Sequence, residues 1–288
     1  MGTYSNAAVW VDGLVVIGGF TVLFYFLKFS WKCWWGLRVY VLSEYWKTDL
    51  RTYGQWAVVT GATSGIGKAY ANELAKRGLD IVLVSRSEEK LKATALDIVN
   101  NVGMTYSPGL AYYMDIPNPG MRITEIINCN ILSVAQMTRL ILPRMVERSK
   151  GLIINISSEA GSEPQPMLTL YSATKIFVTY FSRGLNAEYS PKGVTVQCVA
   201  PFLVSTNMTN NRAINAFVKS AQDFAYEALN TVGHSTFTSG CLSHALQHIA
   251  LCIFFPGWLR LSSSCVRKTE KFARRAQQKI ERTGKKEN

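Results

Sequence analysis

The chain of 288 residues is poor in the residues that build metal cages and disulfide frameworks. It has six cysteines, scattered and without a C-x-x-C spacing, and three histidines. Such thiols read as reduced, in a domain facing the cytosol. His244 and His248 stand four apart, a spacing that suits a metal, but no third ligand is near in sequence. Acidic residues are also few, 19 against 31 lysines and arginines, for a net charge of +12. No lysine or arginine precedes the apolar stretch 7–27, which only Asp12 interrupts, and no small-residue cleavage site follows it. Both absences argue against a cleaved signal peptide and for a bilayer span. Lys28, Lys32 and Arg38 lie just after the span. The positive-inside rule then puts the N-terminus in the lumen and the main domain in the cytosol. Trp31, Trp34 and Trp35 sit where an interfacial aromatic belt belongs.

Chemistry is written in two places. Tyr171-Ser172-Ala173-Thr174-Lys175 follows Ser158 by thirteen residues. On a helix, Tyr171 and Lys175 share a face. An ammonium about 4 Å from a phenol favours the phenolate by up to ~4 kcal/mol at an effective dielectric of ~20. That is enough to make a tyrosine an acid/base near neutrality. Ser158 is placed to hold a substrate oxygen. The second place is strand, glycine turn, helix: residues 56–60, then Gly61-Ala62-Thr63-Ser64-Gly65-Ile66-Gly67, then a helix over 68–77 stopped by Gly78. Glycines there let the backbone approach a pyrophosphate at a helix N-terminus.

Together the two motifs resemble the short-chain dehydrogenase/reductase family over roughly residues 54–240. The branch most similar is that of the membrane-bound 17β-hydroxysteroid dehydrogenases. Gly54 to Val58, Ala75 to Leu79, Val204-Ser205-Thr206 and Ser239 to Leu242 look most like type 3, a 17-ketosteroid reductase. Met145 to Gly151 and Tyr171 to Lys175 look equally like type 12, a very-long-chain 3-oxoacyl-CoA reductase. The resemblance implies a doubly wound parallel α/β sheet of Rossmann type with an N-terminal transmembrane helix. It implies NADPH as hydride donor, Tyr171 as proton donor, Lys175 lowering the tyrosine pKa and holding ribose, and Ser158 orienting the carbonyl. Asn130 matches the asparagine of a water relay, with Asn128 as the neighbouring alternative. Asn100-Asn101-Val102-Gly103 matches N-N-x-G, which makes Asn101 and Gly103 cofactor neighbours. Pro201, Val204 and Thr206 match the loop that closes on nicotinamide, although the usual glycine after the proline is Phe202 here. The cofactor contacts expected are therefore Gly61, Thr63, Ser64, Gly65, Ile66, Gly67, Arg86, Asn101, Gly103, Tyr171, Lys175, Pro201, Val204 and Thr206. Arg86 enters because residues 81–86 end without an acidic residue, and an arginine suits a 2′-phosphate. The family also implies a homodimer through the helices of Asn130 and Tyr171.

Substrate is open at this level. The main reading is reduction of a 17-ketosteroid, of the androstenedione-to-testosterone type; the alternative is a 3-oxoacyl-CoA of very-long-chain fatty acid elongation. Residues 207–230 occupy the substrate position, and Phe217, Phe224 and Tyr226 suit a greasy ligand or, equally, ordinary helix core. A third reading, a catalytically impaired variant such as a splice or gene-model product, follows from a gap. Only thirteen residues separate Arg86 from Asn100. A helix over 87–97 fills that space, so the third strand and its following helix have no room. About 35 residues are absent if each crossover takes a dozen or more. Strand two is then an exposed edge, and a direct crossover to the next strand strains the right-hand rule.

The organisation expected is an anchor at 1–50, a reductase domain at 51–240 with the gap between 86 and 100, and a tail at 241–288. Residues 241–261 read as an amphipathic or re-entrant segment against a membrane. Residues 266–288 hold nine lysines and arginines against three glutamates, a basic run that suits an anionic lipid surface better than nucleic acid. Phe272, Ala276 and Ile280 recur every four residues there. Lys285 and Lys286 resemble the dilysine signal of endoplasmic reticulum membrane proteins, which is read by coat machinery.

Overall fold

The computed structural model describes residues 2–84, 98–105, 110–116 and 118–284. Two compact units are present, 1–46 and 47–288. The first is built on one long helix, α1 (Gly2–Tyr40). Its stretch from Trp10 onward is apolar, exposed and long enough to cross a membrane.

The second unit winds β1 (Trp56–Thr60), α2 (Gly65–Lys76), β2 (Asp80–Val84), β3 (Ile98–Asn100), α3 (Pro119–Ile127), α4 (Ser133–Glu147), β4 (Gly151–Ile156), α5 (Thr169–Tyr189) and β5 (Val194–Val199). Then come β6 (Val204–Ser205), β7 (Lys219–Ser220), α6 (Ala221–Asn230), β8 (Phe237–Thr238), α7 (Leu242–Phe254), α8 (Gly257–Arg260) and α9 (Ser263–Gly284). The main sheet runs β2-β1-β3-β4-β5-β8, with every recorded pairing parallel. β4 is buried along its whole length, so Gly-Leu-Ile-Ile-Asn-Ile reads as an apolar run rather than an alternation. Two cores flank the sheet. One joins Val59, Tyr70, Leu74, Ile154, Phe224 and Leu229; the other joins Val58, Met145, Ile153, Val194 and Val196. Val58 and Val59 thus serve opposite faces, as the period-two strand requires.

Among the described residues β2 pairs on one side only, with β1. Residues 85–97 lie outside the described part, so the expected helix there, Arg86 and the course of the crossover from β2 to β3 do too. β3 itself is three residues long and slots between β1 and β4, pairing Val58 with Ile98 and Asn100 with Asn155. The stretch 119–147, apolar enough in composition to be mistaken for a span, is partly buried inside the domain as α3 and α4.

For two aromatics of the substrate segment the structure selects the helix-core alternative. Phe224 is fully buried, beneath Gly240 and beside the His244 ring at 5.5 Å. Tyr226 is covered by Lys47 at 4.7 Å and Arg77 at 5.5 Å from its ring centre. Both rings are framework, because helix α6 turns that face against α2. Phe217 alone of the three is exposed.

Candidate active site

The glycine turn closes the space between β1 and α2. Gly61 and Gly65 adopt φ of 63° and 57°, the left-handed region that glycine tolerates. Gly67 packs so tightly on the Gly61 carbonyl and the Asn101 side chain that a Cβ has no room. Thr63 and Ser64 are exposed before the first turn of α2, and Ile66 is half-buried beneath them. Ser64 is the N-cap, without a side-chain bond to the helix. The first amides of α2 therefore point to an open surface, as an anion site needs. Thr60 ties this turn to the end of β3. Its hydroxyl accepts from the amides of Asn101 at 2.9 Å and Val102 at 3.3 Å and donates to the Val99 carbonyl. Thr206 comes in from the other side, its side chain 3.0 Å from where a Cβ on Gly65 would lie.

The chemical end is built on three elements. Ser158 lies two residues beyond β4 and caps the 3-10 turn Glu159–Gly161, where its hydroxyl accepts from the Ala160 amide at 3.2 Å. Tyr171 and Lys175 lie one turn apart on α5, the ammonium 5.7 Å from the ring centre. Lys175 is buried and donates to the Ile156 carbonyl at 3.0 Å. Gly103 leaves the space beside that ammonium open; a Cβ there would lie 3.2 Å from Nζ. Asn130 sits at the centre of a π-turn, Asn128–Leu132, between α3 and α4. Such turns re-aim one side chain out of the helical repeat. Its Oδ1 accepts from the Met104 amide at 2.8 Å, and its Nδ2 donates to the Met104 carbonyl and the Thr174 hydroxyl, both at 2.9 Å. Asn128 points outward. The helix pattern alone gave no reason to expect the π-turn.

Electrostatics correct one expectation. Burial raises the Tyr171 phenol above its ordinary value, and the Ser158 hydroxyl bond pulls the other way. Burial also lowers Lys175 to about 8. The lysine ammonium faces the Ile156 carbonyl, so in this state it does not lower the tyrosine pKa as expected.

Asn101 holds the Gly61 carbonyl at 3.5 Å, Pro201 accepts from the Glu159 amide at 2.9 Å, and Val204 begins β6. Lys285 and Lys286 lie outside the described residues. The sequence reading missed Asn155, which is fully buried, accepts from Asn100 at 2.9 Å and donates to Ser182 at 2.9 Å. Its polarity in the middle of an apolar strand was the available signal. It also missed Glu159, buried directly after Ser158.

The short chain dehydrogenase family profile matches residues 55–107 and 96–216. The chain belongs to the short-chain dehydrogenase/reductase family. Similar curated proteins include very-long-chain 3-oxoacyl-CoA reductase-B of Danio rerio, 41% identical over 274 residues, 83% of this chain and 88% of that one. The very-long-chain 3-oxoacyl-CoA reductase of Homo sapiens is 40% identical over 282 residues, covering 85% and 89%. Among solved structures, a short-chain dehydrogenase from Sphingobium yanoikuyae in complex with NADPH superposes with a TM-score of 0.57 at 26% identity, covering 72% of this chain and 95% of that one. The family and the site make the chain an oxidoreductase.

Proposed function

We propose that the chain is a membrane-anchored, NADPH-dependent 3-oxoacyl-CoA reductase of the endoplasmic reticulum. The observation that carries the reading is the convergence of Ser158, Tyr171, Lys175 and Asn130 beneath an open glycine turn. The relatives named above favour a 3-oxoacyl-CoA over the 17-ketosteroid taken first from the sequence. The exposed apolar α1 and the exposed Ile249, Ile253, Phe254 and Trp258 of α7 and α8 suit a lipid surface and a lipid substrate.

The residues present fit a nicotinamide dinucleotide. Gly61, Thr63, Ser64, Gly65, Ile66 and Gly67 would hold the pyrophosphate, Asn101 and Gly103 would border the ribose, and Pro201, Val204 and Thr206 would cover the nicotinamide. Bound there, the cofactor supplies hydride to the substrate carbonyl carbon. Ser158 and Tyr171 donate hydrogen bonds to the carbonyl oxygen, and the phenol, kept protonated by its raised pKa, gives up its proton as charge develops on that oxygen. Lys175, its ammonium 5.7 Å from the Tyr171 ring centre, would hold the nicotinamide ribose. Asn130, which holds the backbone at Met104, would support a relay by which water returns the proton.

A second reading, weakened cofactor binding, has its own support. The match to the Danio rerio relative is 274 residues long yet takes up only 83% of 288. The difference is on the order of 35 residues, the size of a strand with its crossover. The family profile also matches in two overlapping pieces that meet at residues 96–107. With β2 at the end of the described sheet, the missing segment corresponds to an outer strand and the adenine side of the site.

Side-by-side assays of the full chain with NADPH and either a long-chain 3-oxoacyl-CoA or androstenedione decide the substrate. The expected result is at least tenfold higher kcat/KM for the acyl-CoA; a preference for the steroid would overturn the reading.

A further inference from the structure

We propose that His248 and His244 of α7 are positioning residues that brace the two loops of the active site, so that the seating of α7 sets the geometry of Ser158. This rests on the reductase reading above. The two histidines are one turn apart, and each faces a different loop. His248 Nδ1 lies 2.9 Å and 3.0 Å from the two carboxylate oxygens of Glu159. Glu159 directly follows Ser158, is buried, and receives a further bond from the Ser162 hydroxyl at 2.5 Å. Its amide donates to the Pro201 carbonyl, the first residue of the nicotinamide loop. The next residue of that loop, Phe202, donates its amide to His244 Nδ1 at 3.3 Å. The chain of contacts is therefore closed: His244 to Phe202, Pro201 to Glu159, Glu159 to His248, and back through one turn of α7.

Chemistry separates the two imidazoles. His244 is fully buried, and burial lowers its pKa to about 4, so at neutral pH it is an uncharged acceptor for the Phe202 amide. His248 is half-exposed, and the bond to Glu159 raises its pKa, so its bond is charge-assisted on the acid side. The groups facing His248 are Glu159 from the serine loop, Cys252 Sγ at 3.6 Å from Nε2 on its own helix, and Arg260 of α8, which opposes protonation. Glu163, four residues beyond Glu159, lies against Gly257 at the start of α8. The opposite face of α7 exposes Leu242, Leu246, Ile249 and Ile253. One helix thus carries an apolar stripe outward and both imidazoles inward.

The test uses full-length wild type, His248→Leu and His248→Gln, the glutamine keeping a donor toward Glu159. Turnover of a long-chain 3-oxoacyl-CoA at saturating NADPH is followed from pH 5.5 to 9. Amide hydrogen exchange over residues 157–162 is followed without substrate. Expected are a loss of about tenfold in kcat for His248→Leu with near-complete rescue in His248→Gln. The wild-type to glutamine ratio should fall as pH rises through the raised histidine pKa. Exchange of the serine-loop amides should quicken in the leucine variant alone. Unchanged kcat and exchange in His248→Leu, or equal losses in both variants, would overturn the brace. Absence of wild-type turnover with acyl-CoA would instead refute the reductase reading, while the exchange result still decides the brace.

Discussion

At Tyr171 and Lys175 the chemistry depends on burial as much as on spacing. The four-residue interval put both groups on one helix face, and that much was legible. The direction of the tyrosine shift was not, because burial sets it and a four-residue interval says nothing of burial. Lys175 is held near 8, well below its unfolded value, so below pH 8 the fold carries the full cost of burying an ammonium. Between about 8 and ~10.4 the unfolded chain binds more protons, and stability rises with pH. Lys175→Met should therefore raise Tm by about 2–4 °C at pH 7 while abolishing turnover, a trade expected of functional sites. Thermal unfolding of both proteins checks this; a lower Tm in the variant would contradict it. His248 has the opposite sign. Its folded pKa is raised, so its contribution is complete below about 6.5 and is lost as pH climbs through the folded value.

Among the elements, the glycine turn was the most legible, since left-handed φ at Gly61 and Gly65 and the close approach at Gly67 are each demanded by a local clash. Gly67→Ala should cost about 1–3 kcal/mol from overpacking against Gly61 and Asn101 and should eliminate NADPH-induced stabilisation. Calorimetry with and without NADPH measures both effects, and an undisturbed ligand response would count against the assignment. The π-turn at Asn130 was out of reach of the sequence, because a single inserted residue leaves helical periodicity almost intact. Asn130→Leu should leave Met104 without its paired partners and lower kcat by roughly 10²-fold. The substrate segment was ambiguous for a related reason. Phe224 and Tyr226 have the composition of a greasy pocket, but α2 and α7 claim those faces first.

For the molecule as a whole, order of the sheet and length of the chain tell one story. A parallel Rossmann-type sheet was readable from alternating strands and helices, and β1 through β5 pair in parallel in the order β2-β1-β3-β4-β5. On the second reading proposed above, the shortfall of about 35 residues, the size of one strand with its crossover, would bear on the adenine side and leave the tetrad whole. On that reading, inserting a strand and crossover helix between residues 86 and 98 should tighten NADPH binding by at least tenfold, read by titration calorimetry, with little change in kcat at saturating cofactor. Equal affinity before and after would remove the second reading.

The central claim is that Tyr171 of this chain protonates the oxygen of a 3-oxoacyl-CoA. Its most direct test is single-turnover reduction of a long-chain 3-oxoacyl-CoA by wild type and Tyr171→Phe, both saturated with NADPH. The account predicts 3-hydroxyacyl-CoA formation by wild type and a rate roughly 10²–10⁴-fold lower in the variant, with cofactor affinity retained. Equal rates in the two proteins, or no product from wild type at saturating NADPH, would contradict it.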